Sequence, residues 1–486
     1  MNENEAPSPG GGRFSAPSEI CRMGAVELSA AIQEKSCSVH EVVTAFLDRI
    51  DEVNPHVNAI VSLRPRAELL DEADAADRAI ATGEGGGPLF GLPMAVKDLA
   101  QTKGLRTTFG SPLFTRHVPD VDDFFVERQR AAGAIIIGKT NVPEFGFGSN
   151  TYNPVFGATL NAFDHGLTAG GSSGGAAVAL ALHMLPVADG SDMGGSLRNP
   201  AAYNDIYGFR PSQGRVPAGP SPDAFVSQMG VEGPMGRGVR DMALLLSVQA
   251  GHDPRAPLSL DGRIDFLGGL APRVHGKRIG WLGDLDGHLA MEPGILGLCE
   301  DALKRLEAAG AIVEPVMPGF DFEALWRAFV TLRQFTSGSA LKPHYDDPET
   351  RALLKPEAIW EVEGSLALSA ADIHAASCVR TAWHRHVVER FETYDALALP
   401  TAQAFPFPVG RHWPDEIAGR RMDSYHRWME VTTPATMAGC PAVNVPVGFD
   451  AEGRPMGMQL IGAPRGDLDL LRLAMAYEEI TPWGVR

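Results

Sequence analysis

Residues 169–175 read Ala169-Gly-Gly-Ser172-Ser173-Gly-Gly175, and residues 192–198 read Asp192-Met-Gly-Gly-Ser196-Leu-Arg198. Each segment sets a serine, Ser172 or Ser196, beside glycines that let the backbone come close to a bound molecule. Backbone N–H groups beside a serine suit acyl transfer, because the hydroxyl can attack a carbonyl while the N–H groups hold the resulting oxyanion. The two segments therefore predict an acyl-transfer site.

Helical and strand-like segments alternate on both sides of these loops. A helix is predicted at residues 176–182, directly after the first loop, and a strand at residues 185–188. Residues 134–137 contain three consecutive isoleucines, which indicates a strand buried on both faces. Further strands are predicted at residues 92–96, 278–282, 311–316, 396–400, 442–447 and 458–461. This alternation predicts an α/β fold with a central, largely buried sheet.

Amphipathic spacing predicts the helices that would cover this sheet. They are expected at residues 25–33, 39–53, 67–81, 124–132, 240–250, 294–309 and 468–479. Ser38 and Glu41 have the spacing of a capping box at the start of the second helix. Residues 320–391 are predicted to be mostly helical, because they carry aromatic residues without a strong strand pattern.

The composition disfavours two classes of partner, nucleic acids and membranes. The chain has 486 residues, of which 44% are hydrophobic and 21% charged, as is usual for a globular enzyme. Its formal net charge of −18 disfavours nucleic acid and anionic membranes as partners. A membrane span needs about 18 consecutive apolar residues, and no run of this length is present. Neither a nucleic acid nor a membrane is therefore expected to bind.

The N-terminus and the cysteines indicate the compartment. Residues 1–20 begin acidic and continue rich in proline and glycine, which predicts a flexible tail rather than a signal peptide. The five cysteines are scattered without a CxxC or Cys/His metal-binding spacing, and an odd number does not suit a disulfide framework. A cytoplasmic protein with reduced thiols, no metal and no cofactor is expected.

Two better-known motifs compete for the first loop. Gly170-Gly-Ser172-Ser-Gly174 fits the G-x-S-x-G nucleophile elbow of Ser-His-Asp hydrolases. An elbow follows a buried strand, whereas residues 161–168 are polar and loop-like, which disfavours this interpretation. A glycine-rich loop that opens a helix can also bind phosphate. A P-loop, however, needs GK[ST], and residues 174–177 contain no lysine.

Longer motifs resemble the amidase signature family. Residues 170–179, 190–202 and 208–212 together resemble the family's signature region. The resemblance extends to Gly91-Leu-Pro-Met-Ala-Val-Lys97-Asp98, Gly138-Lys-Thr-Asn-Val-Pro-Glu-Phe145, Gly233-Pro-Met-Gly-Arg237, Pro434-Ala-Thr-Met-Ala-Gly-Cys-Pro-Ala442 and Gly457-Met-Gln-Leu-Ile-Gly462. It covers roughly residues 25–480, and its motifs are long and ordered.

The resemblance implies a fold and an activity. The fold is a large single domain, residues 21–486, with a central mixed, twisted β-sheet covered by helices on both faces. Residues 320–391 would be a helical, variable insertion on the substrate side. The implied activity is hydrolysis of small or aryl amides, and the same acyl-enzyme chemistry serves esters and carbamates (urethanes). The alternative is the glutaminase (A) subunit of a tRNA-dependent amidotransferase, which shares the fold. A small-molecule substrate is expected, and a homodimer is consistent with the resemblance.

The same resemblance implies a Ser-Ser-Lys triad. Lys97 would be the base, Ser172 the bridging serine and Ser196 the nucleophile, with a cis peptide bond between Gly171 and Ser172. A lysine acts as a base only when neutral, so its ordinary pKa of about 10.4 must fall for it to work near neutral pH. Burial among the apolar residues that flank Lys97 would lower this pKa.

Supporting roles are also implied by the resemblance. The oxyanion hole would consist of the backbone N–H groups of Met193, Gly194, Gly195 and Ser196. Structural support is expected from Asp192, Arg198 and Ser173, and the substrate pocket from Phe145, Gly148 and Tyr152. Met193 stands where the family often has threonine, and Tyr203-Asn-Asp205 replaces a common cysteine. These two departures leave the substrate class open.

Overall fold

The computed structural model describes residues 14–317 and 319–481, in which helices surround two β-sheets. Ser38 and Glu41 form the predicted capping box at the start of the helix Val39–Val57, because each side chain accepts the backbone N–H of the other residue. The α-helices, in chain order, are α1 (Glu19–Arg22), α2 (Ala25–Gln33), α3 (Val39–Val57), α4 (Arg66–Thr82), α5 (Phe124–Ala131), α6 (Gly174–Ala181), α7 (Arg198–Tyr203), α8 (Val239–Gln249), α9 (Ile295–Ala308), α10 (Phe322–Arg333), α11 (Ser339–Asp346), α12 (Pro348–Arg351), α13 (Pro356–Ala367), α14 (Ala370–Arg390), α15 (Thr433–Ala438) and α16 (Asp467–Ile480).

The strands form one large sheet, one small sheet and two short ribbons. They are, in chain order, β1 (Ile60–Val61), β2 (Pro93–Lys97), β3 (Ile135–Thr140), β4 (Tyr152–Asn153), β5 (Gly157–Ala158), β6 (Ala188–Asp192), β7 (Tyr207–Arg210), β8 (Val231–Gly236), β9 (Arg278–Trp281), β10 (Ile312–Pro315), β11 (Ala396–Pro400), β12 (Glu416–Ile417), β13 (Arg420–Arg421), β14 (Ala442–Phe449) and β15 (Pro455–Gly462). The ribbons are β4–β5 and β12–β13.

The large sheet has eight strands in the order β10-β9-β11-β15-β14-β7-β8-β6. Strands β10, β9 and β11 run parallel to one another, and the remaining neighbours are antiparallel, so the sheet is mixed. Its centre consists of β11, β15 and β14, whose residues are almost all buried because they face packed layers on both sides. The predicted single α/β domain with a mixed central sheet is confirmed.

The small sheet, β1-β3-β2, meets the large sheet at one junction. Strand β2 is an edge of the small sheet and β6 is an edge of the large sheet. The carboxylate of Asp189 on β6 accepts the backbone N–H of Lys97 on β2, at an N···Oδ1 distance of 2.9 Å. This hydrogen bond occupies an otherwise open edge N–H and fixes the end of β2 beside β6.

Helix α6 opens directly after the glycine-serine loop and lies wholly in the interior. All eight of its residues are buried, and most are glycine or alanine. A Cβ atom on Gly175 would lie 2.3 Å from the backbone nitrogen of Asn141, which follows β3. Only glycine therefore allows α6 to approach the end of β3 this closely.

The structure describes only residues 14–20 of the predicted N-terminal tail. Residues 1–13 of the predicted tail and residues 482–486 lie outside the described residues. Residues 14–20 are attached to the domain and do not form a tail, because their polar groups are bound by it. The Ser15 N–H donates to Glu52 Oε1 at 2.7 Å, and the Ser18 hydroxyl caps α1 by accepting the Cys21 N–H at 3.2 Å.

The section 320–391 is helical, as predicted. It contains α10 to α14, with a π-helical turn at Gln334–Gly338 joining α10 to α11. In residues 14–317 and 319–481, no helix combines the length and the apolar composition needed to cross a bilayer.

Candidate active site

Lys97, the last residue of β2, lies at the centre of a group of serines. Its Nζ is 2.8 Å from Ser172 Oγ, 2.7 Å from Ser173 Oγ and 2.9 Å from Ser191 Oγ. The residue is only 1% exposed. Three hydroxyl oxygens can thus accept the three N–H bonds of an ammonium group. The structure brings the predicted Lys97 and Ser172 into direct contact and adds Ser173, which was predicted only as structural support.

The surroundings of Lys97 favour loss of its proton. Burial lowers the pKa of Lys97 from its ordinary value, because the buried ammonium form has lost its hydration. The negative charges of Glu232, Asp192 and Asp189 oppose this effect and limit the shift. A lysine with a lowered pKa has a larger neutral fraction near neutral pH, which is the form that a general base requires.

The two glycine-serine segments are joined by their backbones. The peptide bond between Gly171 and Ser172 is cis, as the resemblance implied. The Gly171 N–H donates to Asn199 Oδ1 at 3.0 Å, and the Ser173 N–H donates to the carbonyl oxygen of Ser196 at 3.3 Å. The segments containing Ser172 and Ser196 therefore lie side by side, although 24 residues separate the two serines in the sequence (196 − 172).

Asp192 holds the segment that contains Ser196 in place. Its carboxylate accepts two hydrogen bonds from Arg198, at 3.0 and 2.9 Å, and lies 3.2 Å from the Arg210 guanidinium. All three side chains are fully buried. Burial alone would raise the pKa of Asp192, but Arg198 and Arg210 hold it well below its ordinary value. The predicted pairing of Asp192 with Arg198 is present, and Arg210 is a second partner that the sequence did not indicate.

The four N–H groups proposed for the oxyanion hole are not equivalent. The Gly195 N–H donates to Asp192 Oδ1 at 3.0 Å, so in this structure it is already occupied. In the described part of the chain, the N–H groups of Met193, Gly194 and Ser196 donate to no other residue. These three N–H groups remain the candidate donors.

A cavity of about 180 Å³ lies beside both serines. Ser172 and Ser196 line it together, and Met193 and Gly194 form part of its wall. Its aromatic lining residues are Phe145, Phe147, Trp326 and Phe329. Its charged lining residues are Asp192, Glu232 and Arg333. The cavity therefore offers an apolar, aromatic environment to a molecule held next to the serine hydroxyls.

Two of the three residues predicted for the substrate pocket line the cavity. Phe145 and Gly148 line the cavity, whereas Tyr152 does not. The Tyr152 ring stacks on His412 with a centroid distance of 4.3 Å, and its hydroxyl donates to Glu357 Oε1 at 2.9 Å. The structure therefore places Phe145 and Gly148, but not Tyr152, in the wall of this cavity.

Comparisons with known proteins identify the family. The family model described as Amidase matches residues 41–471. The chain belongs to the amidase signature family. It is 35% identical to the A subunit of glutamyl-tRNA(Gln) amidotransferase from Thermosynechococcus vestitus over 479 residues, which cover 94% of this chain and 98% of the relative. It is 33% identical to an acylamidase of Rhodococcus erythropolis over 466 residues, which cover 95% and 96% of the two chains.

A solved structure of the amidase signature family has the same architecture. It is a bacterial aryl acylamidase with a TM-score of 0.90 and 32% sequence identity, and the match covers 96% of this chain and 98% of that chain. The shared architecture therefore extends over nearly the whole of both chains.

In this member of the amidase signature family, several residues of the site were not predicted from the sequence. They are Ser191, Glu232, Trp326, Phe329, Arg333 and His426. Glu232 had a usable signal in the sequence, since it directly precedes the motif Gly233-Pro-Met-Gly-Arg237. The others come from distant parts of the chain and carry no local pattern. In residues 14–317 and 319–481, no group of three His, Cys, Asp or Glu side chains is arranged to hold a metal ion.

Replacing Asp192 with alanine is expected to lower the free energy of unfolding by about 3–5 kcal/mol, because Arg198 and Arg210 would then be buried without a counter-charge. Urea unfolding measures this loss. Asp48 is the matched control: its carboxylate pairs with Arg66 but is 64% exposed, so Asp48→Ala is expected to change the free energy by less than about 1 kcal/mol. An Asp192→Ala protein as stable as the Asp48→Ala protein would contradict the bracing role.

Proposed function

We propose that the chain hydrolyses carboxylic amides through a Ser196–Ser172–Lys97 triad. The observation that carries this proposal is the buried Lys97 Nζ, which lies 2.8 Å from the Oγ of Ser172, a serine that lines the same cavity as Ser196. A buried lysine whose Nζ contacts serine hydroxyls is placed to exchange protons with them. In the proposed roles, neutral Lys97 is the general base, Ser172 passes the proton on, and Ser196 is the nucleophile.

The first half of the reaction forms an acyl-enzyme. Ser196 Oγ attacks the carbonyl carbon while its proton moves to Ser172, and the Ser172 proton moves to Lys97 Nζ. The oxyanion accepts hydrogen bonds from the free N–H groups of Met193, Gly194 and Ser196. Collapse of the tetrahedral intermediate breaks the C–N bond, and the proton returns through Ser172 to the leaving nitrogen.

The second half releases the acid. Water loses a proton to Ser172, whose own proton again moves to Lys97, and the resulting hydroxide attacks the acyl carbon. Collapse then expels Ser196 Oγ, which recovers its proton from Ser172 as Lys97 returns a proton to Ser172. The same sequence of steps cleaves esters, in which the leaving atom is oxygen, and carbamates, in which the acyl group on Ser196 also keeps an oxygen or nitrogen substituent.

The cavity favours an aryl or other apolar group on one side of the scissile bond. An engineered cavity of about 150 Å³ in another protein holds benzene, so the volume of about 180 Å³ found here accommodates one aromatic ring. Phe145, Phe147, Trp326 and Phe329 provide the faces and edges against which such a ring packs. The family resemblance to an acylamidase and an aryl acylamidase supports the same substrate class.

The second candidate function is that of a glutaminase subunit. It is favoured by the 35% identity to the A subunit of an amidotransferase. Free glutamine carries an ammonium and a carboxylate, so its binding calls for available charges of both signs. In the cavity, the charge of Arg333 is matched by Glu361, whose Oε1 accepts its Nε–H at 2.6 Å. The cavity therefore suits an uncharged aryl amide better than an amino acid.

The two candidates differ in substrate and in their need for a partner. We expect the purified chain alone to hydrolyse short-chain acyl anilides, measured by release of the coloured aniline, and to release no ammonia from glutamine above the background of a Ser196→Ala sample. Aryl esters and carbamates with the same ring form the rest of the panel. Ammonia release from glutamine that requires added amidotransferase subunits, together with inactivity towards every anilide, would support the second candidate instead.

A further inference from the structure

Glu232 is a carboxylic acid beside Lys97 that the proposed triad does not use. It lies in β8 directly opposite Ser191 of the antiparallel neighbour β6. Directly opposed residues of an antiparallel pair project from the same face of the sheet, with Cβ atoms about 4.5–5.5 Å apart. Ser191 Oγ lies 2.9 Å from Lys97 Nζ on that face. The register of the two strands thus places the Glu232 side chain next to the lysine and its serines.

The Glu232 carboxyl is also the one acidic group of the cavity wall that is not paired with an arginine. The wall contains two acidic residues, Asp192 and Glu232. Asp192 is held by Arg198 and Arg210. In the described part of the chain, the Glu232 carboxyl forms neither a hydrogen bond nor an ion pair. Its side chain is half-buried and lines the same cavity as Ser172.

We propose that Glu232 controls the protonation of Lys97 and thereby sets the lowest pH at which the enzyme works. This inference rests on the proposed function, in which neutral Lys97 is the base. Glu232 acts through Lys97 as a positioning residue for its proton, and it does not touch the reacting atoms. A negative charge at this place stabilises the ammonium form, which is the inactive form of the base.

Among the charged groups around Lys97, Glu232 has the largest effect on the pKa of the lysine. Three carboxyl groups face Lys97: Asp189 and Asp192 from β6 and Glu232 from β8. Of these, Glu232 raises the pKa of Lys97 most, against the lowering by burial. In return, burial raises the pKa of Glu232, the charge of Lys97 lowers it, and the charges of Asp123 and Asp189 raise it further. The charge of each of the two groups, Lys97 and Glu232, therefore shifts the pKa of the other.

The sign of the expected effect follows from this coupling. Burial raises the pKa of Glu232 and lowers the pKa of Lys97, so the two groups titrate in overlapping pH ranges. In the wild type, the rate rises with pH as Lys97 loses its proton while Glu232 gains its charge. Glutamine has the shape of glutamate without the charge, so in Glu232→Gln the ammonium form loses its stabilisation and Lys97 becomes neutral at lower pH. The acidic limb of the kcat/KM profile is expected to move to lower pH by about one unit or more. Below the wild-type limb, the Gln variant is then the faster enzyme.

The test is the pH dependence of kcat/KM between about pH 5 and 10 for an uncharged acyl anilide, which itself does not titrate in this range. Wild type, Glu232→Gln and Glu232→Asp are compared, and Asp keeps the charge, so its limb is expected to stay near that of the wild type. A limb that stays in place in Glu232→Gln, that moves to higher pH, or that only drops in height across the range would overturn the inference.

A direct titration keeps the inference testable if Glu232→Gln does not fold. In Lys97→Met, the Glu232 carboxyl loses its positive neighbour and is expected to keep its proton to higher pH than in the wild type. Infrared difference spectra of the carboxyl stretch across a pH titration report this shift, and an unshifted carboxyl would overturn the inference. Failure of the proposed function looks different: Ser196→Ala or Lys97→Ala would then retain turnover, whatever Glu232 does.

Discussion

Replacing Ser196 with alanine is expected to lower kcat/KM for an acyl anilide by about 10⁴-fold or more. The reason is that Ser196 Oγ is the proposed attacking atom, and the remaining N–H donors can bind the carbonyl but cannot form the acyl-enzyme. Stability is expected to change little, since the hydroxyl of this 7% exposed residue lines the cavity and is not part of the core packing. Steady-state kinetics together with thermal unfolding of the same sample separate the two effects.

The nucleophile can also be identified chemically, which distinguishes Ser196 from Ser172. A fluorophosphonate probe forms a covalent bond with an activated serine, and peptide mass spectrometry shows which serine carries it. We expect the label on Ser196 in the wild type and no label in Ser196→Ala. A label on Ser172, or turnover that survives in Ser196→Ala, would contradict the role of Ser196. It would support the nucleophile-elbow interpretation instead, in which Ser172 of the motif Gly170-Gly-Ser172-Ser-Gly174 is the nucleophile.

Replacing Lys97 with alanine is expected to lower kcat/KM by about 10²–10⁴-fold, the usual contribution of a general base. The acidic limb of the pH profile should disappear with it, because burial has lowered the pKa of Lys97 towards the working range. A small primary amine added to Lys97→Ala can occupy the vacated volume beside Ser172, and partial recovery of the rate is expected. The rate of the rescued variant should then follow the pKa of the added amine.

Lys139 provides the matched control for Lys97. It is also fully buried, and burial lowers its pKa to about 8. Its Nζ donates to the carbonyl oxygen of Ala100 at 2.6 Å and to Thr102 Oγ1 at 2.7 Å, so it does not contact the serines. Lys139→Ala should lower stability and leave the rate of the folded enzyme close to that of the wild type. Equal losses of rate in both variants would reject the role of Lys97 as the base.

Much of the architecture was predictable because local patterns and burial agree there. The helix expected at residues 25–33 and the strand expected at residues 396–400 have the same limits in the structure as α2 and β11. Both are apolar on their buried sides and are bounded by polar or turn-forming residues. Local preference and tertiary packing favour the same conformation in such segments, so the sequence alone is sufficient.

Two strands beside the site, β6 and β8, were poorly predicted for a physical reason. A strand was expected at residues 185–188, but β6 is Ala188–Asp192, which contains Asp189, Gly190, Ser191 and Asp192. β8 was not expected at all, because glutamate, proline and two glycines interrupt its apolar pattern. Polar and small residues are disfavoured in buried strands except where their groups bind or react. The polar and small residues of β6 and β8 therefore weaken the apolar pattern by which a buried strand is predicted.

The cavity wall was predicted only in part: Phe145 and Gly148 line it as expected, but the individual residues of α10 that line it were not indicated by the sequence. Lys97, Ser172 and Ser196 stand in long motifs, and the resemblance maps them directly. Trp326 and Phe329 reach the cavity from α10, about 130 residues after Ser196, and aromatic residues in a helix usually serve in ordinary packing. Only the folded chain shows that α10 lies over the cavity.

Helix α10 lines the cavity but is separate from the elements that carry Lys97, Ser172 and Ser196. Trp326, Phe329 and Arg333 are three and four residues apart, so they form one stripe along a single face of the helix. None of them belongs to the strands or loops that hold the lysine and the serines. Under the proposed function, substitutions along this face of α10 are expected to change which molecules fit the cavity without altering Lys97, Ser172 or Ser196.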